Sequence, residues 1–360
     1  MSLQPSFSAS LLLVLYSLYG ETHIPPDHPF IRYTGRVDKT NPLLVRFDWP
    51  GITIETRFEG TSCAIGLENS TDAYNVFIDG HFACFFETAT EMQHYELISG
   101  LPDTIHHLLI TKRFETDRSI TACSGFFLDD NKKLHSPPPP PPYRIEYIGA
   151  STMIGYGNES KTSNCQSISE MSNCYDSYGP VTARMVNAEY HILAMTRRGL
   201  VRNYHCPFMA SFKPFPPYYS RTLWTDPDGP EWNANNWIPH IIVITLGIND
   251  FSTNPHPTRE LFTNHYYAFV RQLANRYPHA HIICLTPTKK PFNLYTEEFV
   301  NRERREGNDK IHFMAYKKIP DWHRGCNWHP NVKAHRKIAE QLVSLIQPIL
   351  ATIDTASTDR

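Results

Sequence analysis

Six consecutive prolines, Pro137 to Pro142, divide the chain into two stretches whose hydrophobic periods differ. Polyproline is extended and stiff and cannot continue a helix or the interior of a sheet, so it acts as a spacer or a brace between units. Upstream, from about Leu43 to Leu128, short segments rich in Val, Ile, Phe and Thr alternate at period two, as in Ile52-Thr53-Ile54-Glu55-Thr56-Arg57-Phe58. Asp79-Gly80, between Tyr74–Ile78 and His81–Phe86, supplies the positive backbone torsions of a two-residue hairpin turn. No helix-period run interrupts this region, which predicts an all-β sandwich of about a hundred residues.

Downstream the period changes. Arg144–Ile148 is a short strand ending at Gly149, Pro180–Leu193 contains a helical stretch, and Ile241–Leu246 is a continuous apolar run, as expected of a strand buried on both faces. His265–Tyr277 is helical and His281–Leu285 is another buried strand. Val332–Leu350 is an amphipathic helix with Val332, His335, Ile338, Ala339, Leu342 and Ile346 on one side. Strands alternating with helices predict a parallel sheet covered on both faces, with any site beyond the carboxyl ends of the strands.

A length of 360 residues suits two domains. The 34 Lys and Arg against 36 Asp and Glu leave a net charge of -2, which gives no overall drive toward nucleic acid or an anionic membrane surface. The apolar stretch Leu11–Leu18 is too short to span a bilayer as a helix. Although no basic residue precedes it, residues 1–20 read as a signal peptide, and secretion is the expectation. The sequons Asn69-Ser70-Thr71 and Asn158-Glu159-Ser160 fit that compartment. The eight cysteines form no CxxC pair, which argues against a zinc ribbon, while Cys165 and Cys174 are placed to staple a loop.

Three segments carry polar groups at the strand ends: Gly149-Ala150-Ser151, Gly247-Ile248-Asn249-Asp250 and Asn327-Trp328-His329-Pro330. Each alone is commonplace, since a Ser after a strand is usually a helix cap and a His before Pro a loop residue. Together they supply what acyl transfer needs: a hydroxyl on a tight strand-to-helix turn, an imidazole to take its proton and an amide N–H for the oxyanion.

These blocks resemble the SGNH hydrolases, in the version found in carbohydrate esterase family 2. The first is Tyr147-Ile148-Gly149-Ala150-Ser151 running into Gly155-Tyr156-Gly157-Asn158-Glu159. The second spans Ala188-Glu189-Tyr190-His191 to Gly199-Leu200-Val201-Arg202-Asn203-Tyr204. Leu246-Gly247-Ile248-Asn249-Asp250-Phe251-Ser252 is similar to the third, and Gly325-Cys326-Asn327-Trp328-His329-Pro330 to the last. Upstream, Tyr33-Thr34-Gly35-Arg36, Phe47-Asp48-Trp49-Pro50-Gly51, Arg57-Phe58-Glu59-Gly60-Thr61 and Ile78-Asp79-Gly80 follow in family order.

The resemblance implies an N-terminal jelly-roll sandwich (24–135), a Pro-rich linker (136–143) and a C-terminal flavodoxin-like α/β SGNH domain with a parallel sheet (144–352). It implies a secreted, monomeric enzyme that removes acetyl groups from xylan or glucomannan, with no cofactor, metal, nucleic-acid or membrane partner. Ser151 is then the nucleophile and His329 the base. The oxyanion donors are Asn249 through its side chain and Ser151 through its amide, with a further amide from the second block, where Arg197 and Gly199 are the candidates. Trp328 and Tyr156 offer flat faces for a sugar ring.

Three positions depart from the family pattern. Ala150 and Asn327 stand where the family has Asp, and Arg197 stands at the oxyanion glycine. The first predicts a looser nucleophile turn. The second leaves a Ser–His dyad with the main-chain carbonyl of Asn327 as acceptor for His329 Nδ1–H. The third puts a side chain beside the oxyanion and makes a positive φ costly. The rival expectation is a carbohydrate-binding protein on an esterase scaffold, with Tyr156, Trp224, Trp232, Trp237 and Trp328 as contacts. A lipase-like reading is weaker, since no exposed apolar lid segment is evident in the sequence.

Overall fold

The structure, a computed structural model, describes residues 21–358 apart from 69–71, 116–118, 166, 289–290, 319 and 321–322. The expected signal peptide, residues 1–20, and the sequon Asn69-Ser70-Thr71 therefore lie outside the described residues. Period-two alternation produces twelve strands up to the proline run: β1 (Thr22–Ile24), β2 (Arg32–Thr34), β3 (Asp38–Asn41), β4 (Leu44–Phe47), β5 (Thr53–Gly60) and β6 (Cys63–Glu68), then β7 (Ala73–Ile78), β8 (His81–Glu87), β9 (Gln93–Ile98), β10 (Thr104–Lys112), β11 (Thr121–Leu128) and β12 (Leu134–His135). They form two antiparallel sheets, one in the order β3-β4-β11-β6-β9 with β1 added to β11, the other β12-β5-β10-β7-β8 with β2 added to β5. Along β5, Ile54, Thr56 and Phe58 are buried while Glu55 and Arg57 between them are half-buried, as the alternation requires. The β7–β8 turn adopts the expected torsions, with φ of 51° at Asp79 and 80° at Gly80.

The proline run is a brace. Arg57 Nε donates to the Ser136 carbonyl and Arg32 Nη1 to that of Pro138, each at 2.6 Å, which pins the run along β5 and β2. The chain then enters β13 (Tyr143–Gly149). After it come α1 (Tyr178–Met185), β14 (Ala188–Ala194), β15 (Ile241–Ile244), α2 (Arg259–Arg276), β16 (His281–Pro287), α3 (Phe292–Arg305), β17 (Ile311–Tyr316) and α4 (Val332–Thr358). The sequence pattern did not resolve β14 from the helix before it, nor α3 and β17. β14 follows α1 too closely for a period change to register, and β17 is only half-buried over most of its length.

All five strands of this second sheet are parallel, in the order β14-β13-β15-β16-β17. Numbered within the domain this is 2-1-3-4-5, the flavodoxin-like order, whose switch point lies between β13 and β15. Alternate residues face opposite layers. Ile241 and Val243 pack with Val181 of α1 and Ile338 and Leu342 of α4, while Ile242 and Ile244 pack with Phe269 of α2 and Phe299 of α3.

The two domains share one apolar cluster, which runs from Trp49, Phe58 and Phe126 of the sandwich to Leu193, Phe215 and Phe269. Polar groups sealed into the boundary fix its register. Trp49 Nε1 donates to the Thr222 carbonyl at 3.0 Å, and the Asp48 carboxylate accepts from the Trp224 and Thr225 amides at 3.1 and 2.8 Å. Burial pushes the Asp48 carboxyl up to about 6, against the opposing pull of its Thr225 and Trp224 donors. Deeper still, Arg36 and Glu146 form an ion pair at 3.3 Å with both side chains fully enclosed. Arg36 Nη1 also donates to the Tyr219 and Arg221 carbonyls, and Tyr219 Oη donates to Glu146 Oε1 at 2.6 Å. Removing one partner strands a buried charge, so Glu146→Ala should lose about 3–5 kcal/mol of stability in equilibrium urea unfolding. An unchanged midpoint would show that the pair is solvated.

Candidate active site

β13 delivers Ser151 to the carboxyl edge of the sheet. The chain turns at once: the Met153 amide donates to the Ala150 carbonyl at 2.8 Å and the Tyr156 amide to that of Ser151 at 3.1 Å. Residues 151–159 are successive turns and not the start of a helix, which corrects the strand-to-helix expectation. Hydrogen bonds between side chains and backbone hold the later part of this turn. Asn158 Nδ2 donates to the Asn173 carbonyl at 2.8 Å, the Asn173 amide returns to Asn158 Oδ1 at 2.9 Å, and the Gly157 amide donates to Ser172 Oγ at 2.8 Å. Asn158 is 1% exposed with its side chain engaged on both sides, so the second sequon is not a glycan acceptor in the folded chain.

Across from it, Ser151 Oγ lies 2.9 Å from His329 Nε2. His329 Nδ1 faces the Cys326 main-chain carbonyl at 3.2 Å, and the Asn327 carbonyl expected from the sequence is a second backbone partner of the imidazole. The reason is local backbone: Asn327 and Trp328 both take left-handed torsions, φ 48° and 64°, which swing the Cys326 carbonyl under the imidazole. Two such non-glycine residues cost about 1–2 kcal/mol each, and the turn is held from several sides. The Cys326 amide donates to the Gly157 carbonyl at 3.1 Å, the Asn327 amide to that of Ser163 at 2.7 Å and the Gly325 amide to that of His329 at 2.7 Å. Asn327 Nδ2 donates to Tyr156 Oη at 3.0 Å, so the side chain steers the Tyr156 ring, which packs 4.5 Å from the imidazole. A disulfide joins Cys165 to Cys326 across 161 positions, while Cys174 is a buried free thiol, so the expected Cys165–Cys174 staple does not form. The close approach explains Gly157, where an added Cβ would stand 2.1 Å from Cys326 Cβ.

Asn249 follows β15 at the switch point. Its Nδ2 donates one hydrogen to the Arg198 carbonyl at 2.8 Å, which fixes the amide's orientation and leaves its second hydrogen for a ligand. Arg197 takes φ 64°, the positive torsion that an arginine adopts at a cost, and it lies exposed on the wall of the cleft that also holds Ser151. Gly199 is not an oxyanion donor here: its amide is spent on Asn203 Oδ1 at 3.1 Å, and it does not line the cleft.

Asp250, quoted in the third block but given no role there, organises this side. Its buried carboxylate accepts the consecutive amides of Leu200, Val201 and Arg202 at 2.9, 2.7 and 2.9 Å. Burial raises its carboxyl above the ordinary value while those amides oppose the rise. The signal available in the sequence was an Asp directly after an active-site Asn, a position from which the carboxylate reaches the neighbouring loop.

The cleft has a volume of about 1000 Å³ and includes Ser151, Tyr156, Arg197, Asn249, Asn327, Trp328 and His329 in its lining. Trp328 is 64% exposed there, whereas Trp232 and Trp237 are buried, the latter stacked on His191 at 3.6 Å, and Trp224 packs against Tyr218. Of the five aromatic contact candidates, only Tyr156 and Trp328 reach the cleft. Phe208, Met209 and Phe212 are exposed on the loop that carries Tyr204 and His205, an apolar segment that the sequence did not reveal. Among the described residues no group of three or more His, Cys, Asp or Glu converges to hold a metal ion.

Residues 145–342 match the GDSL-like Lipase/Acylhydrolase family and residues 33–138 match Carbohydrate esterase 2 N-terminal. The chain belongs to carbohydrate esterase family 2. It is 30% identical over 330 residues to the cellulase/esterase CelE of Acetivibrio thermocellus, covering 89% of this chain but only 40% of that protein. It is 26% identical to an acetylxylan esterase / glucomannan deacetylase of Cellvibrio japonicus, covering 93% and 95% of the two chains. A family two carbohydrate esterase from Clostridium thermocellum, solved with cellohexaose, superposes with a TM-score of 0.83 at 30% identity over 89% of this chain and 99% of that one.

Burial first, and the charge of Arg324 after it, hold the His329 imidazole below its usual 6.5, against carbonyls of Cys326 and Asn327 that favour the protonated form. If His329 acts as the base it must be neutral, so kcat/KM should rise with pH to a plateau with its midpoint below 6.5. A midpoint above that value would contradict the assignment. Asp250→Asn puts an amide donor against three backbone donors and should lower kcat by roughly 10²-fold while the chain stays folded by circular dichroism. Unchanged kcat would remove Asp250 from the site's support.

Proposed function

We propose that this protein is a carbohydrate O-acetyl esterase acting on plant-wall polysaccharides of the xylan or glucomannan type. The observation that carries the reading is the 2.9 Å contact between Ser151 Oγ and His329 Nε2. His329 donates Nδ1–H to the Cys326 carbonyl, which leaves Nε2 as the acceptor for the serine proton. Ser151 Oγ then attacks the acetyl carbonyl while its proton moves to His329. The second hydrogen of Asn249 Nδ2, with the backbone amides of Ser151 and Arg197, meets the oxyanion. His329 returns the proton to the departing sugar oxygen, and water activated by the same imidazole releases acetate from the serine.

The binding-only alternative is disfavoured because it gives no reason for the hydroxyl to sit in hydrogen-bond contact with an oriented imidazole. Names of the relatives support the substrate class, and the exposed face of Trp328 suits a pyranose ring. Action outside the cell is supported by the Cys165–Cys326 disulfide. Among the described residues no helix is long and apolar enough to cross a membrane.

Hydrolysis of 4-nitrophenyl acetate should vanish in Ser151→Ala and fall by roughly 10²–10³-fold in kcat in Asn249→Ala. Turnover that persists in Ser151→Ala, or is absent from the unmodified protein, would overturn the esterase reading.

A further inference from the structure

A chain with a net charge of -2 carries a cleft that is locally basic. Arg197, Lys318 and Arg324 line it together with His205, and among the described residues no Asp or Glu lines it. Two acids that bond segments beside the cleft are spent on the backbone. Glu115 accepts the Thr196 amide at 2.8 and 3.0 Å, and Asp250 lies buried under the amides of residues 200–202. Neither Arg197 nor Lys318 forms an ion pair among the described residues, and both are exposed. Lys318 also lines a neighbouring groove with Lys317 and Lys337, whose one carboxylate, Glu340, pairs with Arg336 at 3.2 Å. The positive wall thus runs from beside Ser151 outward past Lys318.

Arg197 is the informative member. At φ 64° a glycine would serve the backbone without strain, so what arginine adds there is its side chain on the cleft wall. A planar guanidinium binds a carboxylate through two parallel hydrogen bonds, and a one-signed concave wall concentrates ligands of the opposite sign.

We propose that the cleft selects acetylated glycans that carry carboxylates, with uronic acid residues held against Arg197 and Lys318, over uncharged glycans of the same backbone. The acetyl chemistry rests on the esterase reading above; the charge preference does not.

The test uses the full chain and two deacetylated xylo-oligosaccharides that differ by one glucuronic acid branch, with affinity measured by titration calorimetry. At low salt the acidic ligand should bind at least tenfold more tightly, and the gap should shrink at about 0.3 M salt, where screening acts within a few ångströms. R197Q combined with K318Q should bring the ratio close to one; K318Q alone, at an exposed position, should reduce it severalfold. Because each ratio is taken within one protein, a loss common to both ligands cancels. Equal affinities in the unmodified chain at low salt, or a ratio unchanged in the double variant, would overturn the proposal. The acetylated pair should show the same ratio in kcat/KM. If 4-nitrophenyl acetate is not turned over while the acidic ligand still binds more tightly, the esterase reading fails and the charge preference stands.

Discussion

The ion pair between Arg36 and Glu146 ties the strand that leads into Ser151 to the β-sandwich. Glu146 sits on β13, five positions before Ser151, and Arg36 comes from the loop after β2. Two charges in an interior of low dielectric tolerate little displacement, because any gap exposes an uncompensated ion. The sandwich is therefore part of the mounting of the catalytic strand. Around the pair, Tyr219, Trp49 and Asp48 anchor the loop that connects β14 to β15. The apolar cluster that spans both domains follows from the same enclosure.

Once β13 is fixed, the site is built from loops that lean on one another. Asp250 draws the 200–202 loop onto the end of β15, and Asn249 beside it donates to the Arg198 carbonyl. On the far side the Gly325–His329 turn is held to the Ser151 turn by Gly157, by Asn327 on Tyr156 and by the disulfide to Cys165. A triad orients its imidazole with a carboxylate. Here a strained turn brings a neutral carbonyl under Nδ1, and the cross-links resist relaxation of that turn. A carbonyl orients the ring without adding negative charge, which agrees with an imidazole held below its usual range.

Much of this was legible in the residues. The change of period at Pro137–Pro142 separated an all-β from an α/β unit, and alternation along β5 and the Asp79-Gly80 turn were readable because each depends on neighbours in sequence. Ser151, Asn249 and His329 could be proposed because strand ends in such sheets gather sites. The Cys326 carbonyl as a partner of His329 could not: it turned on the torsions of Asn327 and Trp328, which no residue-type preference foretells. Gly199 was misassigned for a similar reason, since Asn203 takes its amide only after the loop closes.

The sequence by itself determined the two architectures, their order and the three side chains proposed for the reaction, since hydrophobic period and local turn chemistry are written along the chain. Tertiary structure alone decided that the Cys326 carbonyl faces the imidazole, which cysteine partners Cys165, which tryptophans are walls and which are core, and that a nearly neutral chain has a basic cleft. Those are distances between residues far apart in sequence. They are set by how packed layers bring loop ends together, and composition averages them away.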